Sequence, residues 1–435
     1  MKDTYDVIVV GAGPAGSAAA YTLAVNGISV ALLERGPYPG SKNMFGGTIY
    51  RQPTEEIIPG FWQKAPLERA ITSDQLWIMD RDSAFNVGFT GLKYAVPPYN
   101  KFSVLRAKFD SWFAQQAVQA GARLFTEALV KELIYDRKLL VNDYVKGVRL
   151  DTGEQLYASC VILAEGVNAF LTKQAGLRSE IPPHAMTLYC KEVLELPGNI
   201  IEERFNLEKG QGAALGMIGY PTAGAVGKGG IWTNKNSLSL VVGGYLDQLV
   251  RKRLSPYLLL QRLKQHPMVR KLLQGSKVIE YQAHMIPKGG YNFIPKLYTN
   301  GLLVTGDAAM MISGRRGTDL AMLSGKYAAE AVLTAKAKED FSAKALRVYQ
   351  HKLSNTFFMK DIKSGQDVLD YYKNHPDSDF LLSKFINNAA YQYFSAGMKT
   401  EKEVMGNITK EFINLQMPVK SIKDFYAGLK YWGVF

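Results

Sequence analysis

An α/β fold is the expectation for this chain: a parallel sheet wound with helices, opened in its middle to admit a β-rich domain, with a helical C-terminal region. Three observations carry it. The chain opens with an apolar run, Tyr5-Asp6-Val7-Ile8-Val9-Val10, that breaks into Gly11-Ala12-Gly13-Pro14-Ala15-Gly16 and small residues, then enters a second apolar run from Ile28 to Leu33. Two later apolar runs also end in turns, Leu163-Ala164-Glu165-Gly166 and Val304-Thr305-Gly306-Asp307. Between those two, residues 181–275 are glycine-rich and strand-like, as an inserted sheet domain would be.

The first β-α-β unit carries chemistry as well as topology. A buried strand turning sharply into a helix leaves backbone N–H groups free at the helix N-terminus, where a pyrophosphate is held by hydrogen bonds and the helix dipole. Gly11 permits the turn, Gly13 lets phosphate approach, and Gly16 lets helix and strand pack, while Pro14 and Ala15 open the helix. Glu34-Arg35 closes the second strand, about 20 positions beyond the first glycine, where a carboxylate grips adenosine ribose hydroxyls. A lone glycine motif would be weak evidence. Strand, glycines, helix, second strand and acid in this order make a dinucleotide site.

The remaining elements follow in sequence. Gly36 to Tyr50 reads as a long loop, and Ser103-Val104-Leu105-Arg106 leads into a helix from Phe109 to Ala120, stopped by Gly121. Residues 124–163 alternate short strands with turns, including Asp151-Thr152-Gly153, and end in the apolar strand Cys160 to Ala164. Gly224-x-x-Gly227-x-Gly229 lacks a strand-to-helix switch and reads as sheet turns. A helix follows the Gly306-Asp307 turn through Leu320, Leu323, Ala328 and Val332, and residues 340–435 are helix-like and aromatic. The domain boundaries expected are 1–75, 101–180 and 276–340 for the nucleotide domain, 76–100 and 181–275 for the β-rich domain, and 341–435 for the helical region.

Composition narrows the classes of partner. The net charge of +13 favours an acidic protein or an anionic lipid surface; without a long Lys/Arg block or a nucleic-acid motif, no nucleic-acid partner is expected. Cys160 and Cys190 are the two cysteines, too few and too far apart for a zinc or iron–sulfur site, so no metal is expected. Cys160 reads as a buried core thiol. Met1-Lys2-Asp3-Thr4 leads straight into the first strand and no run reaches the ~18 apolar residues of a membrane span, so a cytoplasmic location is expected, with peripheral contact on the cytoplasmic membrane face left open.

Glycine loop, Glu165-Gly166 and Gly306-Asp307 together suit one nucleotide held at both ends. The arrangement resembles the flavoprotein superfamily of para-hydroxybenzoate hydroxylase, geranylgeranyl reductase and electron-transfer-flavoprotein:quinone oxidoreductase, a Rossmann-like fold of the glutathione-reductase type. The strings Gly40-Ser41-Lys42-Asn43-Met44-Phe45-Gly46-Gly47, Ile231-Trp232-Thr233-Asn234-Lys235, Glu280-Tyr281-Gln282-Ala283-His284-Met285-Ile286-Pro287-Lys288 and Gly317-Thr318-Asp319-Leu320-Ala321-Met322 look more narrowly like the FixC proteins. That resemblance covers nearly the whole chain.

It implies FAD as cofactor, with the first loop on its adenine half and Asp307 on a ribityl hydroxyl. The helix from Arg316 to Asp319 would then direct its positive end at the flavin pyrimidine edge. Arg106 is implied as a flavin contact, and Lys42, Asn43 and Gly46 as a loop near the ring system. A cation there would stabilise the reduced, anionic flavin. The implied activity is electron transfer from an electron-transfer flavoprotein to a membrane quinone, beside a ferredoxin-like iron–sulfur subunit that supplies the cluster this chain lacks. No catalytic side chain is implied, since the flavin carries the chemistry. Glu165 stands where aromatic hydroxylases place Asp, a departure from that branch.

Three other readings stay open: a geranylgeranyl reductase-type enzyme acting on prenyl double bonds, a flavin monooxygenase, and an FAD-retaining scaffold subunit. Tyr220, Trp232 and Tyr281 are candidates to line a quinone channel, with core packing as the competing role. His284 reads as a structural histidine, and Phe61-Trp62 and Tyr431-Trp432 as either buried packing or contacts to a bilayer or partner.

Overall fold

The computed structural model describes residues 3–42, 47–136, 143–314 and 316–432. The chain divides into two compact units. Unit 1 comprises Met1–Leu67, Val104–Pro182 and Ile286–Gln366; unit 2 comprises Glu68–Ser103, Pro183–Met285 and Asp367–Phe435.

In unit 1 the strand β1 (Asp3–Val10) lies at the centre of a parallel sheet. On one side it pairs with β2 (Val30–Leu33), which pairs with Arg123–Phe125; on the other it pairs with Gln155–Leu163, which pairs with Leu302–Val304. Val10 stands opposite both Leu33 and Leu163, and Leu163 opposite Val304. These parallel strands therefore end level with one another. Every motif turn, at Gly11, Glu34, Ala164 and Thr305, leaves from the same carboxyl edge, the place where open α/β sheets bind ligands. The strands are nearly continuous Val, Ile and Leu because both sheet faces are covered. The hairpin Val130–Asp136 and Tyr144–Leu150 is joined antiparallel to Gln155–Leu163.

Helix α1 (Pro14–Ala24) and the helix Thr318–Lys336 pack through small residues. A Cβ at Gly325 would lie 2.0 Å from the Ala15 carbonyl oxygen, so glycine alone allows the approach. The helix Arg106–Gln119 begins at Arg106, one turn ahead of the expected Phe109, and Gly121 ends it with φ +112°. Cys160 is fully buried, and burial pushes its thiol up to about 12.

Unit 2 is a largely antiparallel sheet in the order Lys277–Pro287, Met186–Glu195, Ser237–Tyr245, Gly227–Thr233, Gln211–Gly219, Ala70–Met79, Lys101–Ser103, with Ala84–Thr90 beside Ala70–Met79. Gln211–Gly219 and Ala70–Met79 run parallel. Gly224 turns with φ +84° into the strand from Gly227, as sheet turns should.

Several expectations need amending. The loop expected to Tyr50 already holds a strand, Thr48–Tyr50, followed by the helix Arg51–Glu55. Residues 181–275 are not uniformly β-rich: Leu246–Arg251, Pro256–Gln265 and Pro267–Leu273 are helices, and Leu259, Leu260 and Leu263 bury one apolar stripe in the unit 2 core. The chain enters unit 2 at Glu68, ahead of residue 75, because Ala70–Met79 is one continuous strand of that unit. The helical region after 341 is split rather than single. Tyr349 is buried in unit 1, its hydroxyl donating to the Val304 carbonyl at 3.0 Å, whereas Tyr372 and Ala427 pack with Val226 and Tyr245 in unit 2. Phe61 is buried, not presented outward, and the Trp62 indole N–H donates to Glu55 at 2.8 Å. The Tyr431 and Trp432 side chains lie outside the described residues.

Candidate functional site

The first turn is built so that no side chain intrudes. Gly11 has φ +101° and its N–H donates to Leu33 at 2.7 Å. A Cβ on Gly11 would lie 2.4 Å from the Ala164 carbonyl oxygen, and one on Gly16 would lie 1.7 Å from that of Gly11. Gly13 is the extended N-cap of α1 and Pro14 its first residue; no side chain caps this end and no acid sits in its first turn. Its free amides and dipole remain for an anion.

Glu34 binds this loop to its own strand. One carboxylate oxygen accepts from the Ala12 N–H at 3.1 Å and the other from the Gly36 N–H at 2.7 Å. Arg35 and Lys42 are exposed, and Asn43 and Gly46 lie outside the described residues. Glu165 has a structural role, accepting from the N–H groups of Leu171 and Thr172 at 2.9 and 2.7 Å and from the Thr172 hydroxyl at 2.7 Å, and so capping the short helix Phe170–Gln174. Gly166 turns beside it with φ +73°.

The turn at Gly306 (φ +67°) closes against α1, where a Cβ on Gly306 would meet the Ala15 side chain at 2.8 Å. The Ser324 hydroxyl pins it, accepting from the Gly306 N–H at 3.1 Å and the Thr305 hydroxyl at 2.7 Å. Asp307 is half-buried, and among the described residues no hydrogen bond reaches its carboxylate. Burial pushes the Asp307 carboxyl up, against the pull of Arg106, Lys288 and Arg178.

Arg106 is 7% exposed, paired through Nε and Nη2 with Asp110 at 2.7 Å each, and donating from Nη1 to the Thr318 hydroxyl at 3.2 Å. Gly317 and Thr318 open the Thr318–Lys336 helix, and Asp319 in its first turn is buried against Arg316. Burial pushes the Asp319 carboxyl up and Arg316 pulls it back. Arg316 itself lies over the rings of Tyr50 and Phe357. Gly11–Gly16, Glu34, Gly306-Asp307, Arg106 and Thr318 thus belong to one unit and gather at its carboxyl edge.

Arg178 is a further candidate, one the sequence concealed. Its Nη1 donates to the Ala308 carbonyl at 2.9 Å, while Nη2 is buried with no hydrogen-bond partner among the described residues. Burial pulls its pKa down, and the carboxylates of Glu165, Asp307 and Glu180 oppose that. No motif surrounds Gly176-Leu177-Arg178; a basic residue shortly after a strand-end glycine turn was the single available hint. A buried donor and a half-buried acceptor without partners, beside a loop that excludes Cβ atoms, fit a ligand bearing both phosphate charge and hydroxyl groups. FAD has both.

The cost of leaving Asp307 charged is open to measurement. Its folded pKa lies above the ordinary 3.8, so ionisation penalises the folded cofactor-free protein fully above the folded pKa and not at all below 3.8. Asp307→Asn is therefore expected to stabilise the FAD-free protein at neutral pH, with the gain fading to nothing as the pH falls toward 3.8. Urea titrations across that range check it. A gain that grows on acidification would contradict a carboxylate whose burial outweighs the pull of its three neighbouring cations.

In unit 2, Tyr281 places its hydroxyl 3.2 Å from the Cys190 thiol, and Tyr220 lies under the Arg262 guanidinium at 3.7 Å and beside His266. Trp232 and His284 are half-buried on separate strands.

Fold and site define an FAD-dependent oxidoreductase. Residues 6–65 match the family model for FAD dependent oxidoreductases, and residues 190–286 match the one described as ETF-QO, ubiquinone-binding. The chain belongs to the FixC family. It is 38% identical to Protein FixC of Bradyrhizobium diazoefficiens across 99% of this chain and 100% of that protein, and 38% identical to Protein FixC of Azotobacter vinelandii across 99% of each. With Protein FixC of Escherichia coli strain K12 the identity is 41%, across 81% of this chain and 82% of the relative. Among solved structures, a geranylgeranyl bacteriochlorophyll reductase-like protein from Thermoplasma acidophilum superposes with a TM-score of 0.72 at 19% identity, covering 96% of this chain and all of that one. The flavin-dependent brominase Bmp2 gives 0.62 at 17%, covering 95% of this chain and all of that one. At such identities these two show the fold.

Proposed function

We propose that this chain passes electrons from an electron-transfer flavoprotein to a membrane quinone, working with a ferredoxin-like iron–sulfur subunit and in peripheral contact with the cytoplasmic face of the membrane. The match of residues 190–286 to a ubiquinone-binding model, within a chain alike to FixC proteins from end to end, carries this reading. Among the described residues no helix is long and apolar enough to cross a membrane, and the net charge of +13 suits an acidic protein or an anionic headgroup.

FAD, when bound, supplies the electron-accepting ring, and the protein's part is to hold and tune it. Glu34 and Arg35 take the adenosine end, and the amides of Gly11 to Gly16 and the guanidinium of Arg178 take the pyrophosphate. Asp307 accepts from a ribityl hydroxyl, with Glu165 and Gly166 shaping the adjoining turn. Gly317, Thr318 and Asp319 bring the positive end of a long helix to the flavin, where it favours the anionic reduced form by roughly 0.3–1 kcal/mol, more if partly buried. Arg106, oriented by Asp110 and Thr318, adds a fixed cation, and Lys42 would add a second one at the flavin end, with Asn43 and Gly46, outside the described residues, assigned to the same end. No side chain needs to donate or abstract a proton for electron transfer alone.

The test uses FAD-loaded protein, reduced electron-transfer flavoprotein and a short-chain quinone analogue. The expected result is flavin reduction by the flavoprotein and reoxidation that accelerates with quinone. Reoxidation indifferent to quinone but driven by a prenyl lipid would replace this reading with prenyl reduction, and oxygen uptake dependent on NAD(P)H would replace it with monooxygenation.

A further inference from the structure

The helix Thr318–Lys336 opens beside a charge pair of its own. Arg316 donates from Nε and Nη2 to one carboxylate oxygen of Asp319 at 2.6 and 2.5 Å, and the Asp319 side chain is 2% exposed. Two rings fix the guanidinium, which stands 5.1 Å from the centroid of Tyr50 and 4.7 Å from that of Phe357, distances at which a cation and a ring face attract. Its backbone is held as well, since the Arg316 N–H donates to the Ser313 carbonyl at 2.8 Å and the Ser313 N–H to the Arg316 carbonyl at 2.9 Å. All of these residues belong to unit 1.

The first N–H groups of an α-helix have no partner within it, and together they amount to about half a positive charge. Asp319 lies among them, where the N–H groups of Asp319 and Leu320 act with Arg316 against the upward push of burial on its carboxyl. A full negative charge in that place outweighs half a positive one. Without a counter-ion, Asp319 would make the opening of the helix negative and oppose an electron-rich ring. The guanidinium of Arg316 removes the excess, and the positive end of the helix is what remains. Arg106 reaches the same opening through Thr318 and is likewise held by a buried carboxylate, that of Asp110.

We propose that Arg316 is a positioning residue for the flavin: by neutralising Asp319 it keeps the opening of the Thr318–Lys336 helix positive toward the reduced ring. The inference rests on the reading that this helix end faces the flavin, and it concerns the ring's affinity for electrons, not their source or destination.

Titration of FAD-loaded protein with sulfite tests it, because sulfite adds to flavin N5 and leaves a negative charge on the pyrimidine edge. The midpoint potential is measured alongside. A unit charge within about 10 Å, at an effective dielectric of about 20, shifts such an equilibrium roughly tenfold. At about pH 9, where even a strongly buried carboxylate is largely ionised, Arg316→Met is expected to bind sulfite about tenfold more weakly and to have a lower potential. Asp319→Asn should do the opposite, and the double variant should return close to the wild type. Arg316→Lys, which keeps the charge, should stay near the wild type. A residue that only held the fold would lower FAD retention without moving the sulfite affinity of the protein that stays loaded. If Arg316→Met does not retain FAD, Asp319→Asn decides alone, and tighter sulfite binding is the supporting result. Unchanged sulfite affinity in Asp319→Asn, or a shift in the same direction in both single variants, would overturn the proposal. Arg106→Met separates the two ways of failing. If it weakens sulfite binding while the Arg316 and Asp319 variants do not, the helix end faces the flavin and the role of the pair is wrong; if none of the three moves it, the helix end does not face the flavin.

Discussion

Gly16→Ala is expected to purify with little FAD. The added methyl would stand 1.7 Å from the Gly11 carbonyl oxygen and 3.3 Å from the Ala164 side chain. Gly11 cannot retreat, because its N–H is tied to Leu33 and its own α-carbon faces the Ala164 carbonyl. The first turn of α1 must therefore move, and the amides that suit a pyrophosphate move with it. Overpacking of this kind costs about 1–3 kcal/mol, and passed to the cofactor that is roughly a tenfold to hundredfold loss of affinity. Titrating the cofactor-free protein with FAD measures it. Gly406→Ala, at a helical position with open space around it, is the matched control and should bind FAD as the wild type does. Wild-type affinity in Gly16→Ala would mean that the close approach of loop and helix is not what holds the nucleotide.

Arg69→Met is expected to destabilise unit 2 by several kcal/mol, at about 1–3 kcal/mol for each buried acceptor left without a donor, the half-buried Glu202 adding little once its partner is gone. Arg69 is 3% exposed and its guanidinium serves five acceptors. Nε donates to Asn234 at 2.6 Å, Nη1 to Glu202 at 2.7 Å and Gln211 at 2.9 Å, and Nη2 to Lys235 at 3.0 Å and Gly198 at 3.3 Å. Four of these are backbone carbonyls from three separate segments: the start of the helix Gly198–Arg204, the start of the strand Gln211–Gly219, and the turn at Asn234-Lys235. Methionine fills much of the volume and satisfies none of them. Arg69→Lys, with one compact donor group in place of a planar fork, should recover a minority of the loss. Equilibrium urea unfolding followed by tryptophan fluorescence checks both. A loss below about 1 kcal/mol, the value of an ordinary hydrogen bond, would show that the three segments hold their positions without Arg69.

The glycine turns of unit 1 were legible because their constraints are local. A strand that must turn at once into a helix needs glycine where φ is positive and where backbone meets backbone, and Gly11, Gly16 and Gly306 satisfy that need. Arg178 and Arg69 were not legible. Arg178 acts on Ala308, 130 residues away, and Arg69 on Asn234, 165 residues away, distances over which neighbouring residues carry little information. The helices from Leu246 to Leu273 were hidden differently. They are short, and the glycine-rich strands before them set a pattern that a few leucines at helical spacing do not overturn.

Glu165 and the strand Ala84–Thr90 mark where sequence reading ends. The amino-acid order alone determined a parallel sheet that turns at glycine into its first helix and an inserted sheet domain, since each follows from apolar periodicity and from glycine's backbone freedom within a few residues. Tertiary structure alone decided that Glu165 caps a helix, that Arg178 waits beside Asp307 with a donor unused, and that the C-terminal helices divide between two units. It also decided that, among the described residues, Ala84–Thr90 pairs with one strand rather than two. Those outcomes depend on which distant segments arrive within hydrogen-bond or van der Waals reach, a property of the assembled sheets and not of any stretch of chain.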